Sequence, residues 1–349
     1  MALAVAALPA RVLVPRSGSR TSRSGISPPR LSVVIVNYGH WEETARLVRQ
    51  IRQSESSRAG TIEVVVVDNH SPPHPWMRRL RRWPGVSLRR WGRNRGFARA
   101  ANEGCRLSQG DWVLLLNPDV TLEADFLEGV LALADQLSRE DPRAGIVGFH
   151  LRNPDGSLQL SAGPYPTLAG TLAGLALPRA RRKYRVFRPR RRGRVPWVTG
   201  CCLLVRQECL RRLGGFDEDF FLYYEDVDFC RRARAEGWTV WYEPALRVIH
   251  HRPLHLRTVP APLRFITRHA LLTYAGKHWP EWQVPFLAGI VFLEAWFQEQ
   301  RAARRGDTTS ASHYAELKNL AADLARGRAH EARRRLARVV RREELRRAS

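Results

Sequence analysis

The sequence predicts an α/β protein built on a mainly parallel sheet flanked by helices, with an α-helical extension at its C-terminal end. Three observations predict it. The runs LSVVIVNY, from Leu31, and IEVVVVDN, from Ile62, are continuously apolar and β-branched. They lack the alternation of a half-solvated strand, so both faces are buried, as in a parallel sheet. Stretches with helical spacing of apolar residues lie between such runs, joined by short links, which is β-α-β alternation. From Pro262 onward the pattern is helical, apart from a loop at Arg305–Ser310.

The elements follow in order. Trp41 to Gln53 reads as a helix, with Leu47, Val48 and Ile51 on one side. The second strand ends in a carboxylate and a Pro-rich loop, Ser71–Pro75. Val86–Trp91 is expected as a third strand, Phe97–Leu107 as a helix, and DWVLLLNPD as a fourth strand ending at Pro118–Asp119. A helix from about Glu123 to Leu137 precedes a short strand, AGIVGF. LRNPDGSLQLS reads as a hairpin around Asn153–Gly156. Residues 164–196 are rich in Pro, Gly and Arg and are expected as a mobile basic loop. WVTGCCLLVR reads as a strand, RQECLRRL as a short helix, Tyr223 to Ala235 as a helix, and WTVWYE and LRVIHH as short strands. The chain therefore divides into a disordered basic leader (1–30), an α/β domain (31–258) and a helical region (259–349).

Composition bounds the function. Of 349 residues 44% are hydrophobic and 26% charged, which is globular composition. The longest candidate span, Val284 to Phe297, holds a proline and a glutamate, so no segment crosses a bilayer. The net charge of +25 sits in three places: +5 in residues 1–30, +10 in 178–194 and +8 in 301–349, leaving +2 for the remainder. Such segments are solvated charge runs or attract phosphate groups of lipid or nucleic acid. No base-reading or stacking motif accompanies them, so no nucleic acid partner is expected, and an Arg-rich nucleic-acid-binding protein is the alternative reading. Five cysteines without a CxxC pair read as small buried residues of a reducing compartment. The tail from Pro262 mixes aromatics (Phe265, Tyr274, Trp279, Trp282, Phe286, Phe292, Trp296, Phe297) with Arg264, Arg268 and Lys277. That mixture suits either packing on the α/β domain or the headgroup zone of an anionic membrane surface.

Ligands of open parallel sheets sit beyond the carboxyl ends of the strands. Here three successive ends carry polar residues: Asn37-Tyr38, Asp68-Asn69 and Asn117-Pro118-Asp119. Turn chemistry alone accounts for any one of them. Three together point to one shared crevice. No GxGxxG follows the first strand and no GxxxxGK[ST] occurs, which disfavours dinucleotide and P-loop readings. Later in the chain, Glu225, Asp226 and Asp228 cluster at a helix start, and Asp228 is spaced to pair with Arg232 one turn on.

These runs carry a resemblance. VVIVNY, VVVDN, NRGFARAANEG and LLLNPDV, followed by NPDGSLQLS, WVTGCCLLVR, GGFDEDFFLYYEDVDFCRR and AEGWTVWYEPALRVIHH, resemble family 2 glycosyltransferases, the inverting group with the GT-A (Rossmann-like) fold. The similarity is to the rhamnosyltransferase-like and galactofuranosyltransferase-like branch and covers about residues 31–255. It implies a hexosyltransferase-type enzyme that uses a nucleoside-diphosphate sugar and a carbohydrate or lipid-linked acceptor in cell-envelope polysaccharide or glycolipid synthesis. Its place would be the cytoplasm, or the cytoplasmic face of the membrane as a peripheral protein. It implies that Asn37, Tyr38 and Asp68 hold the nucleotide, and that Asn94, Arg95, Gly96 and Phe97 lie under the nucleotide and diphosphate. Asn117 and Asp119 match the first and last positions of the family's DxD, whose carboxylates coordinate Mg²⁺ or Mn²⁺. His250 matches a histidine that completes the metal site, with His251 and His255 as competitors. Asn117 replaces one carboxylate with a weaker amide ligand. Asp226 would be the general base, with Glu225 as its rival. A sugar-phosphate nucleotidyltransferase would want a Gly-rich basic loop after the first strand, and NYGHWEE is not one. A catalytically degenerate relative is the remaining alternative.

Overall fold

The structure, a computed structural model, describes residues 28–175, 191–253 and 258–348. Most of the leader, residues 176–190 and residues 254–257 with His255 lie outside the described residues. The first half runs β1 (Leu31–Asn37), α1 (Trp41–Gln53), α2 (Glu55–Arg58), β2 (Ile62–Asp68), α3 (Pro75–Leu80), β3 (Val86–Arg90), α4 (Phe97–Leu107), β4 (Trp112–Leu116), β5 (Val120–Leu122) and α5 (Phe126–Glu140). The second continues with β6 (Ala144–Arg152), β7 (Leu158–Gln159), β8 (Ala162–Gly163), α6 (Leu168–Leu175), β9 (Gly193–Arg194), β10 (Trp197–Val198), β11 (Cys202–Arg206), α7 (Gln207–Leu213), α8 (Glu225–Ala235) and β12 (Thr239–His250). Four helices end the chain: α9 (Ala261–His278), α10 (Gln283–Arg304), α11 (Thr308–Ala325) and α12 (Ala329–Ala348).

The main sheet has the order β3-β2-β1-β4-β11-β6-β12-β5. β1, β2, β3 and β4 are mutually parallel, and β12 runs parallel to β6. β11 enters between β4 and β6 antiparallel to both. The unbroken apolar runs are explained by cover on both faces. Val34 and Val36 of β1 join one apolar cluster with α4, α8 and the C-terminal helices, while Leu31, Val33 and Ile35 join another with α1 and α5. α4 lies so close to the sheet that a Cβ at Gly104 would stand 2.3 Å from Val34 Cγ1. All five cysteines are free and buried, and burial pushes the Cys105 and Cys209 thiols up to about 12.

Several expectations need revision. The segment 164–196 is not a bare loop, since its described part holds α6 and β9 and leads directly into β10. WVTGCCLLVR splits into β10 and β11, with Thr199–Cys201 turning between two sheets. WTVWYE and LRVIHH are one long strand, β12, bent by a bulge between Glu243 and Arg247. The Pro and Ala within that bulge hid the continuity, because a run interrupted by Pro reads as two.

The C-terminal helices share the apolar cluster of the sheet rather than forming a separate core. Phe265 and Tyr274 are fully enclosed there. The joint is polar and buried. Asp228, 1% exposed, pairs with Arg232 at 2.7 Å and with His278 of α9 at 2.8 Å. Arg232 in turn donates to the carbonyls of Leu213 and Gly215. Lys277 and Arg333 hold Asp219, in the turn before α8, at 2.9 Å each.

Burial raises the Asp228 carboxyl, but His278 and Arg232 outweigh it and hold the group below the ordinary carboxylate range. Its contribution to stability is therefore present above the unfolded value near 4 and is lost as pH falls through the lower folded value. Asp228→Asn should lose on the order of 3 kcal/mol near neutral pH, since it removes the buried carboxylate that Arg232 and His278 share. Urea melts at neutral pH and at a pH below about 4 check this: the deficit should shrink as the carboxyl protonates. An equal deficit at both would show that packing, not charge, is the loss.

Candidate active site

Parallel register puts Asn37 opposite Asp68 at the carboxyl ends of β1 and β2. Asn37 Nδ2 donates to Asp68 Oδ1 at 2.9 Å and to Ser71 Oγ at 3.0 Å, while Asn37 Oδ1 accepts from the Thr44 hydroxyl and the His40 N–H. Both Asn37 and Asp68 are fully enclosed. Asn37 therefore braces the ends of β1 and β2, with its side-chain polar atoms engaged by protein. Asp68 differs. Its Oδ1 accepts from Asn37 and from the Ser71 N–H, but its Oδ2 accepts no hydrogen bond, although Arg90 Nε lies 3.2 Å away off the hydrogen-bonding direction. Burial is the main reason its carboxyl sits above the usual range, against the lowering pull of Ser71, Asn37 and Arg90. A buried acceptor left open is costly unless something completes it. Tyr38 stands half-buried beside this pair.

The next loop is built on side-chain amides. Asn69 Nδ2 donates to Asn94 Oδ1 at 2.7 Å, Asn69 Oδ1 accepts from the Arg95 N–H, and Asn94 Oδ1 accepts from the Gly96 N–H. Gly96 has φ +90°, and an added Cβ would meet the Phe221 carbonyl at 2.7 Å, so only glycine fits. The neighbouring Phe97 N–H donates to that same carbonyl. Arg95 is exposed, with its guanidinium over Trp91 at 4.9 Å. The Asn94 N–H donates to Glu344 of α12 at 3.1 Å, across 250 residues of chain.

On the far side, Asp119 Oδ1 lies 3.5 Å from His250 Nε2, and both side chains are largely enclosed. Gln159 holds the other ring nitrogen of His250 at 2.9 Å. Burial raises the Asp119 carboxyl, but the His250 contact outweighs it and keeps the group below the ordinary range. His251 turns away to Thr121 at 2.8 Å, so between the two described histidines the site belongs to His250. The donor set fits a divalent cation. Two donors on adjacent positions about 2.1 Å from a hard cation stand roughly 3 Å apart, close to what is observed. Among the described residues no third carboxylate, histidine or cysteine joins them, which suits a cation whose other ligands are phosphate and water.

Asp226 completes the arrangement. The chain reaches it through Tyr223 and Tyr224, both left-handed at φ 73° and 66°. Two such residues in succession cost about 1–2 kcal/mol each and mark an over-determined turn. Asp226 is 7% exposed, and its oxygens accept from the N–H groups of Gly200 and Val227 at 2.9 and 2.8 Å. Each carboxylate oxygen keeps a lone pair for a proton. The Cys201 carbonyl, one residue on from Gly200, accepts from the Asn117 N–H at 2.9 Å. A single backbone step thus links the half-buried Asn117, on the Asp119 loop, to Asp226. Glu225 is buried too, but one position earlier on the helix.

The structure therefore brings the sequence-derived residues to one edge of the sheet in two linked groups. Sequence reasoning placed Asn69 at a polar strand end without a role, and it missed Ser71, Gln159 and Glu344. Ser71 follows Asp68 in a loop read only as Pro-rich, and Gln159 stood in the hairpin motif unexamined. Nothing local marks Glu344, which comes from the last helix.

Comparison with known proteins identifies the family and the fold. Residues 28–261 match the family model described as "Glycosyltransferase like family 2". The N-acetylglucosaminyl-diphospho-decaprenol L-rhamnosyltransferase of Mycobacterium tuberculosis is 32% identical over 301 residues, covering 79% of this chain and 94% of that protein. The rhamnosyltransferase WbbL of Escherichia coli K12 is 25% identical over 227 residues, covering 63% of this chain and 82% of that one. A crystal structure of GalNAc-T7 with UDP, GalNAc and Mn²⁺ superposes with a TM-score of 0.50 at 17% identity, covering 72% of this chain and 50% of that one, a likeness of fold. The chain belongs to glycosyltransferase family 2 and has the family's GT-A fold.

Proposed function

We propose that this glycosyltransferase moves a hexose, rhamnose in the first instance, from a nucleoside diphosphate onto a lipid-linked diphosphate acceptor, with inversion at the transferred carbon. The reaction belongs to cell-envelope glycan synthesis, at the cytoplasmic face of the membrane. One observation carries the reading: Asp226 is fixed by the Gly200 N–H one backbone step from the loop that bears Asp119, which itself meets His250 of β12. The similarity to the mycobacterial rhamnosyltransferase supplies the sugar and the acceptor class. Among the described residues no helix is long and apolar enough to cross a membrane.

Asp226 takes the proton of the acceptor hydroxyl as that oxygen bonds to the anomeric carbon. The bond from that carbon to the diphosphate oxygen breaks, and the nucleoside diphosphate leaves with the electron pair. Asp119 and His250 would hold Mg²⁺ or Mn²⁺, which would neutralise charge on the diphosphate. Gln159 keeps the His250 ring oriented for that role. Asp68 Oδ2, buried and open, would accept an N–H of the base, while exposed Arg95 pairs with phosphate.

Asp226→Asn should lower turnover by about 10²–10⁴-fold, the usual contribution of a positioned base, with donor affinity little changed. Glu225→Gln should lose much less. If Glu225→Gln is inactive and Asp226→Asn is not, the base is the neighbouring carboxylate.

Excess chelator should abolish turnover, and Mn²⁺ should restore it. His250→Ala should raise the half-saturating Mn²⁺ concentration about tenfold or more, as removal of one ligand of a small set does. Full turnover in chelator would remove the cation from the reaction.

A further inference from the structure

The outer face of α10 has no partner among the described residues. Its inner face, Leu287, Ala288, Val291 and Ala295, is buried. Its outer face shows Phe286 at 53% exposure, Leu293 at 56% and Phe297 at 63%, with Trp282 at 69% just before the helix. The spacing of these positions, four, seven and four residues, keeps them on one side of a helix. Phe292 and Trp296 widen the stripe. Six of the eight large hydrophobic residues exposed among the described residues fall in this one stretch, which decides against random scatter. Together they offer on the order of 500 Å² of apolar surface, the size of the largest patch on a typical monomer, which is often functional. No exposed position between Trp282 and Phe297 is charged. Glu294, the acid within the stretch, is turned inward to Arg264 and Arg268 at 2.7 Å each. The face then ends in the exposed Arg301, Arg304 and Arg305.

We propose that this face of α10 docks on an anionic lipid bilayer, lying in the plane of the headgroups. Trp and Phe seat at the interface between headgroup and acyl chain, and the arginines that follow meet lipid phosphate. Charge selects the occupant. A second copy of a chain carrying +25 is repelled, whereas an anionic surface attracts it. The basic residues expected to assist, Arg264, Arg268 and Lys277, do not: they are held in ion pairs with Glu294, Asp217 and Asp219. Of the tail aromatics, Phe265, Tyr274 and Trp279 serve packing, and the exposed ones remain for the bilayer. The inference rests on the membrane-side placement proposed above and deepens it, naming the surface that makes contact.

The test is co-sedimentation of the full chain with vesicles of phosphatidylglycerol and phosphatidylcholine, against phosphatidylcholine alone. The wild-type chain should bind the anionic vesicles, less so as salt rises. A triple variant, Phe286→Ser, Leu293→Ser and Phe297→Ser, should bind about tenfold more weakly or worse, with an unchanged melting curve and unchanged release of nucleotide from a donor in solution. Arg301→Glu with Arg304→Glu should remove the preference for anionic lipid. Equal vesicle binding by the wild type and the triple variant would overturn the proposal. So would a wild-type dimer in solution that the triple variant converts to monomer without any vesicle binding. Donor turnover is read separately, so a chain that binds vesicles but transfers no sugar contradicts the proposed function and leaves this surface standing.

Discussion

The hydrogen bond from the Asn117 N–H to the Cys201 carbonyl, 2.9 Å long, joins the two halves of the molecule. It exists because β11 runs antiparallel between β4 and β6, which brings the turn before β11 against the carboxyl end of β4. Gly200, in that turn, then donates to Asp226. The loop that bears Asp119 and the Asp226 carboxylate are thereby set to each other through backbone, which does not change rotamer. A site on flexible side chains alone would lose the alignment that makes a bound pair reactive.

The C-terminal helices belong to this frame. α8, which opens with Glu225 and Asp226, is fastened to α9 through Asp228 and His278. The turn leading to it is fastened by Lys277 and Arg333, and the Asn94 loop by Glu344. Helices that read as an appendage thus touch both the Asn94 loop and the helix that carries Asp226. The relation to the mycobacterial enzyme, which covers 79% of this chain, extends past residues 28–261 and is consistent with a frame larger than the sheet.

Most of the fold was legible because its signals are local. The runs at Leu31 and Ile62, and the helices Trp41–Gln53 and Phe97–Leu107, have their observed bounds in the sequence pattern. Long-range facts were not legible. The bulge in β12 depends on pairing with β6, and the Asp228–His278 pair joins residues 50 positions apart. The pairing of Asp228 with Arg232 could be foreseen, since one helical turn fixes it. For the site, types and positions were legible but burial was not. Asn37 was expected against the nucleotide, and the structure encloses it as a brace for Asp68 and Ser71. Choosing His250 over His251 likewise required contacts made across the fold, His250 to Asp119 and His251 to Thr121.

The central claim is a single displacement in which one carboxylate, Asp226, deprotonates the acceptor opposite the leaving diphosphate. Such a displacement turns over the configuration of the transferred carbon, whereas a covalent sugar–enzyme intermediate restores it. The anomeric configuration of the product, read by nuclear magnetic resonance from a donor of known configuration, tests this most directly. The account predicts an inverted linkage in all of the product. A retained linkage would contradict it, whichever sugar is transferred.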